Sequence, residues 1–457
     1  MELTELRRRI RGNVTSTDDG GYEALRRAMV WNRLVPQRRP RAIVEAASEA
    51  DVVEAVRFAR SNGFKVAIRG AGHSWVGFAL RDDSLLIDLG RLNNVAIDRA
   101  RRSATIGPAV RGREFNRMLA AQGLAFPVGH CPTVAMSGFL LNGGLGWNFN
   151  AWGPGCFSIT AARVVTADGR QVIASERENS DLLWAIRGAG PGFFGVITEY
   201  SLRLYPAPAA ITTSNYYYPL ERAEEVGAWA GKIARQLPKH VEMTILTAAA
   251  PPAIAGRCAS SRGFACLVSA TAFVDSPNEA ASTLAILDSC QVAGLLKEPN
   301  LPTPIDTLHD VGAMAWPEGH RYLADTLWTN SPPGAVLATL RDNFMRAPSP
   351  KSHGVFVPAT GPRSPLPDGA YSMTGDALLL CYAVWERVED DAANAAWHRT
   401  TVAALDPYAI GHYVGESDII GDPRRAQRSY ARANWERLQA LRRKYDPDGL
   451  FPARFDE

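Results

Sequence analysis

The sequence predicts an α+β architecture. A first domain over residues 1–208 is followed by a second over 209–404 and a closing segment over 405–457. Three observations carry this. At 457 residues the chain exceeds what one hydrophobic core commonly fills. Short strand and helix signals alternate up to about residue 205, then the texture changes. Beyond residue 209 longer strand candidates alternate with amphipathic helices, the pattern of an antiparallel sheet covered on one face by helices.

Ser48-Glu49-Ala50-Asp51 reads as a capping box, and Val52, Val53, Val56 and Ala59 recur behind it at helical spacing. Lys65–Arg69 is a short strand that runs into a glycine loop. Further strands are expected at Leu85–Leu89 and Ala104–Ile106, and a helix from Arg111 to Gln122 stopped by Gly123. Residues 162–166 and 171–173 flank Asp168-Gly169, a hairpin signal. Gly195–Leu202 alternates as a strand and closes the first region near Pro206-Ala207-Pro208. In the second region strands are expected at 212–218, 243–248, 265–273 and 377–385, with a proline-rich loop over 348–369. A last helix spans about 426–445 and stops at Asp446-Pro447-Asp448-Gly449.

Composition excludes several classes of function. Fifty basic residues against 47 acidic give a net charge of +3, too small a surplus to argue for nucleic acid or anionic membrane. Ten arginines between Arg7 and Arg41 are diluted by acidic residues and read as solvated helix faces. There is no long apolar run and no signal-peptide pattern at the N-terminus. The six cysteines lack CxxC pairing, which argues against a thiolate metal site or disulfide framework and fits a cytoplasmic protein. Neither HExxH nor GxSxG occurs.

Two glycine-flanked stretches carry the chemistry. Arg69-Gly70-Ala71-Gly72-His73-Ser74 sits at a strand end, where small residues leave backbone N–H groups open as an anion-binding nest. Gly129-His130-Cys131-Pro132-Thr133-Val134 runs on through Ser137 and Gly138 to Asn142-Gly143-Gly144-Leu145-Gly146. Taken singly, the first is an ordinary turn and Cys131 an inert buried thiol. A literal GxGxxG at Gly190, Gly192 and Gly195 leads into a β-branched, strand-like stretch, and Asn215 stands where a Rossmann acid belongs.

Together the two stretches resemble the flavin-attachment motifs of the berberine-bridge-enzyme-like oxidases, in the vanillyl-alcohol-oxidase superfamily. Those motifs read approximately RGGGHS and GxCPxVGxxGxxLGGGxG, and this chain departs from them at Ala71, Ala135 and Asn142. Asp181–Thr198 is similar to the family's DLFWALRGGGGNFGVVT, and Asn434–Leu438 with Lys444–Phe451 to its C-terminal NYxRLxxLKxxYDPxNLF. The likeness covers about residues 25–205 and 405–452. It implies a two-part FAD-binding domain and one FAD tethered twice, through His73 to the 8α-methyl and through Cys131 to ring carbon 6. It assigns cofactor contacts to Arg69, Gly70, Ala71, Gly72, Ser74, Gly129, Val134, Ser137, Gly138, Asn142, Gly143, Gly144 and Gly146. Gly195, Val196 and Ile197 fall at the adenine end, and Asn434 in the returning segment. Pro452-Ala453-Arg454-Phe455 replaces the usual tail.

The resemblance further implies hydride transfer from a small-molecule alcohol, sugar or secondary metabolite, with a base for the accompanying proton. Tyr413-Val414-Gly415-Glu416 corresponds to a YxNY motif, with Glu416 in place of the final tyrosine. A glutamate near its reference pKa of ~4.3 is already ionised at neutral pH, whereas a tyrosine near ~10 needs help. Burial would bring Glu416 toward a useful base. Glu416 is therefore the candidate base and Tyr413 a positioning residue, with a surface pair to Arg424 or Arg425 as the alternative. Tyr382, Tyr371 and Tyr322 are further candidates, more ordinarily packing residues, and Trp316 and Trp328 could stack a ring-bearing substrate. Val134 stands where valine accompanies oxidases and leucine dehydrogenases, which implies reoxidation by O2 to H2O2. A dehydrogenase, a non-catalytic flavin-binding protein, and decarboxylation or cyclisation at the same site are the alternatives.

Overall fold

A computed structural model describes residues 2–453; Arg454 and Phe455 lie outside the described residues. The first domain holds two main sheets. A four-stranded mixed sheet runs Asn13–Ser16, Ala42–Glu45, Ser84–Asp88, Lys65–Arg69, its last three strands parallel. Helix Glu49–Ser61 precedes Lys65–Arg69 and buries Val52, Ala55, Val56 and Ala59 against the sheet. Only half of its expected capping box forms. Ser48 accepts from the Asp51 N–H at 3.3 Å. The Asp51 carboxylate instead takes the N–H groups of Arg11, Gly12 and Ala47, tying the N-terminal strand to the helix.

The second sheet is antiparallel, in the order Val95–Asp98, Ser103–Ile106, Gly195–Arg203, Ile159–Thr166, Gln171–Ser175. The Asp168-Gly169 hairpin turns as expected, with Gly169 at φ 75°. Gly195 opens a strand and not a helix, which removes the Rossmann reading.

Leu124–Ala125 and Tyr205–Pro206 pair as a short two-stranded ribbon, and the remaining strands form one antiparallel seven-stranded sheet. Its order is Leu296–Pro302, Ala210–Pro219, Phe264–Val274, Val241–Ala249, His353–Pro358, Ala377–Trp385, Arg321–Thr329. Side-chain alternation gives the sheet two unlike faces. Tyr216, Ile245, Val268, Leu379 and Cys381 point to one face and are buried under helices Ala223–Ala234, Pro277–Leu284, Pro333–Phe344 and Asp391–Leu405. Each such side chain contributes about 1.5–3 kcal/mol by leaving water. The other face turns toward the first domain, and the cavity lies between them.

Three expectations need correction. The 348–369 loop contains the strand His353–Pro358, which lies inside the sheet. The last helix is broken into Arg424–Gln427 and Arg432–Tyr445. At the break the Tyr430 hydroxyl donates to Ala189 O at 2.9 Å and the Ala431 N–H to Ser372 Oγ at 2.9 Å, so tertiary partners replace helical ones. The basic N-terminal stretch is not wholly solvated. Arg26 is 1% exposed and donates to the carbonyls of Pro36 and Arg38. Arg38 donates to those of Val76, Gly77 and Leu80, bracing the segment after His73.

The chain then returns to the first domain. The Val66 N–H donates to Leu450 O at 2.8 Å, and Leu450 and Phe451 enter the core of the mixed sheet. No helix among the described residues is long and apolar enough to cross a membrane.

Candidate active site

A cavity of about 920 Å³ separates the two domains, at the upper end of the ~300–1,000 Å³ usual for small-molecule sites. One end is walled by Lys65–Arg69, the loop through Ser74, and Ile197. The other is walled by the open face of the seven-stranded sheet and the 413–417 segment. His73 and Cys131 both line it.

Thr133 joins them. Its hydroxyl is 3.0 Å from His73 Nε2 and 3.8 Å from Cys131 Sγ, so both reactive side chains meet one small group. Trp31 stacks on the His73 ring with centroids 4.8 Å apart. Burial, with the Arg111 and Arg69 charges behind it, holds the His73 pKa down to about 3. The imidazole is therefore neutral and keeps a nucleophilic lone pair. Burial pushes the Cys131 thiol up, opposed by its hydrogen bonds with Thr133.

The predicted cofactor residues divide into two sets. Arg69, Gly70, Ala71, Gly72, Ser74, Gly129, Val134, Ser137, Gly138, Asn142, Gly195 and Ile197 line the cavity. Gly70 is required by close approach, since a Cβ there would fall 2.2 Å from Ser137 Oγ. Gly72 has φ 77° and faces the Met29 carbonyl. Arg69 is fixed by Asp88 at 2.9 Å. By contrast Gly143, Gly144, Gly146, Val196 and Asn434 are absent from the cavity wall. Gly143 leaves room for the Tyr371 ring, Gly144 for Phe139 and Gly155, and Gly146 for the carbonyls of Pro127 and Val128. Val196 packs in the core beside the mixed sheet, and the Asn434 amide donates to Gly369 O at 2.8 Å. The three glycines serve the packing of their own loop.

Glu416 faces the cavity from the opposite side. Its segment is pinned by Thr326, whose hydroxyl accepts from the Tyr413 N–H at 3.0 Å and bonds Ser417 Oγ at 2.6 Å. Trp75 Nε1–H donates to Glu416 Oε2 at 3.2 Å, and the Tyr382 hydroxyl donates to the same oxygen. The surface-pair alternative is not what forms. Arg424 pairs with Asp422 at 2.8 Å, and Arg425 with buried Asp325 at 3.1 Å. Burial pushes the Glu416 pKa up, and the two donors pull it partly back. Tyr382 is itself buried beside that carboxylate and its pKa is raised well above the usual phenol value, so it stays a donor.

Tyr413 also lines the cavity, and burial raises its pKa. Tyr371 does not line it: its ring fills the space over Gly143 and Gly188, and its buried hydroxyl has no hydrogen-bond partner among the described residues. Tyr322 is buried behind Trp31 and Trp75, with its hydroxyl on Pro317 O at 2.6 Å. Trp316 lines the cavity and meets Tyr382 edge-on at 5.6 Å, while Trp328 is core. Sequence reasoning missed Trp75 and Thr133 as functional neighbours. Each lies inside or beside a motif already singled out, and only three-dimensional proximity reveals its partner.

Asn142 Oδ1 is buried without a hydrogen-bond partner among the described residues, and its residue lines the cavity. An orphaned acceptor, a glycine cradle, a neutral imidazole and a thiol along one long cleft suit a flavin dinucleotide, and these residues would hold it.

Comparison with known proteins gives the family and the fold. The FAD binding domain family matches residues 40–175. The FAD-linked oxidoreductase ptmO of Penicillium ochrochloron is 30% identical over 433 residues, covering 94% of this chain and 93% of its own. In fold, 6-hydroxy-D-nicotine oxidase from Arthrobacter nicotinovorans superimposes with a TM-score of 0.83 at 22% identity, over 97% of this chain and 96% of that one. Berberine bridge enzyme from Eschscholzia californica gives 0.83 at 19% identity, over 100% and 98%. The chain belongs to the FAD-linked oxidoreductases, and its fold is that of the berberine-bridge-enzyme-like flavoproteins.

Proposed function

We propose that this enzyme holds FAD by two covalent bonds, at His73 and Cys131, and oxidises an alcohol, sugar or other secondary-metabolite substrate, with O2 as final acceptor and H2O2 as by-product. One observation carries the reading. A neutral imidazole and a thiol meet at Thr133 in the same cavity that presents Glu416, which forms no ion pair among the described residues. Bound flavin supplies a two-electron acceptor for a substrate hydride.

The chain's own groups supply the rest. Glu416, raised by burial and held by Tyr382 and Trp75, accepts the proton released as the C–H bond is broken. Trp75, Trp316 and Tyr382 wall the space before it. Further along the same wall the hydroxyls of Thr213, Thr271 and Thr303 bond one another at 2.9 and 2.7 Å, a polar surface suited to a hydroxylated substrate. Val134 supports oxygen as the acceptor.

The test is to mix the purified yellow protein with sugars, polyols, phenolic alcohols and amines in the absence of oxygen. Bleaching of the flavin by any of them supports the enzymatic reading over a non-catalytic one. Peroxide formed in step with turnover under air supports the oxidase. Dye reduction without peroxide would replace the oxidase with a dehydrogenase.

A further inference from the structure

We propose that His130, oriented by Glu242, is a substrate-binding site that receives a hydrogen bond from an O–H or N–H group of the ligand. The proposal rests on the flavin reading only for its spectroscopic reporter. His130 belongs to the loop that carries Cys131, and Glu242 to strand Val241–Ala249 of the facing sheet, so the pair spans the cavity between the domains.

Glu242 is 4% exposed, and both its oxygens are engaged. Oε1 lies 2.7 Å from His130 Nε2, and Oε2 accepts the Asn148 N–H at 3.0 Å. A carboxylate bonded in this way is an acceptor, which places the imidazole proton on Nε2 and leaves the lone pair on Nδ1. This is the base-and-orienter arrangement in which a carboxylate fixes the tautomer of a working histidine.

Nδ1 has no hydrogen-bond partner among the described residues. The His130 side chain keeps 30% of its exposure, and the ring lines the cavity. Trp147 packs against the ring with centroids 4.0 Å apart. Behind the loop, helix Ile305–Ala315 fits so closely that a Cβ on Gly312 would lie 2.4 Å from the His130 carbonyl. The ring is thus held from behind and beside while its bare acceptor stays free. A purely structural clamp between the domains needs the Nε2 and Asn148 contacts alone. The free Nδ1 beside the cavity is the part that a clamp leaves unexplained. Glu416 lines the same cavity, so the two groups face one ligand volume.

The experiment titrates the holoenzyme with phenol and with anisole, which differ in the O–H donor, and follows the flavin absorbance. The wild-type protein is expected to bind phenol about ten-fold more tightly, the worth of one buried hydrogen bond. His130→Leu should bring the two affinities within about two-fold, and Glu416→Gln should preserve the preference. His130→Phe, which keeps an aromatic ring on Trp147, serves the same purpose should the leucine variant fail to fold. Equal affinities in the wild type, or a preference that survives loss of His130, would overturn the proposal. So would a preference that disappears in Glu416→Gln and persists in both His130 variants. A colourless protein would instead refute the flavin reading, and tryptophan fluorescence would still compare the two ligands.

Discussion

Removing the Tyr382 hydroxyl should move the acid limb of flavin reduction to higher pH. In Tyr382→Phe the ring remains between Trp75, Trp316 and His353, at 5.5, 5.6 and 4.9 Å, so the change deletes the donor to Glu416 and little else. A hydrogen bond to a charged group is worth about 1.5–3 kcal/mol, and one pKa unit corresponds to about 1.36 kcal/mol. The Trp75 bond, at 3.2 Å, remains. Since the lost donor pulls the Glu416 pKa down, its removal raises that pKa by about one to two units. The base is then protonated over a wider acid range. The assay is single-turnover bleaching of the flavin without oxygen, measured from about pH 5 to 9 with a substrate that reduces the wild type. The alkaline plateau should change little while the limb shifts upward. A limb that stays within about 0.3 units of wild type, or moves downward, would refute Glu416 as the titrating base.

Packing and protonation give three further predictions. Gly146→Ala puts a Cβ 2.2 Å from the Val128 carbonyl and should cost about 1–3 kcal/mol, read as a lower melting temperature. Gly138→Ala meets nothing within 4 Å and should stay within about 0.5 kcal/mol, so equal melting of the two would contradict the packing argument. Four buried histidines, His309, His353, His398 and His412, are held by desolvation to pKa values of about 4. The unfolded chain takes up these protons near pH 6.5 and the folded one does not. Stability is therefore complete above pH 6.5 and falls between about 6.5 and 4, by on the order of 3 kcal/mol per fully neutral histidine. A melting temperature flat across that window would sink the assignment. His73→Ala and Cys131→Ser should each keep a coloured acid precipitate through the surviving bond, and the double variant should lose it.

His73 and Cys131 were legible in the sequence because each sits in a contiguous motif whose small residues serve one local purpose. Strands such as Lys65–Arg69 and Ala377–Trp385 were legible because alternation or a continuous apolar run is a local signal. His353–Pro358 was hidden by its polar, proline-rich flanks, and its place between two long strands supplies what its own sequence lacks. The break before Arg432 was hidden for the opposite reason. Residues 428–431 read as helix-compatible until Tyr430 and Ala431 find partners on Ala189 and Ser372. Glu416 could be placed by motif, but its donors could not. Tyr382 comes from a strand of the other domain, and Trp75 lies 341 residues away in the chain. The resemblance implies cofactor contacts for the glycines of the second motif, and several of them also make room for tight packing. No local signal separates a glycine that admits a ligand from one that admits a neighbouring backbone.

The central claim is that one flavin is bonded to both His73 and Cys131, and peptide mapping of the purified protein tests it most directly. Proteolysis after denaturation should yield a single yellow species in which the His73 and Cys131 peptides are joined through one flavin. Recovery of both peptides at their unmodified masses, with all flavin released into the acid supernatant, would contradict the account.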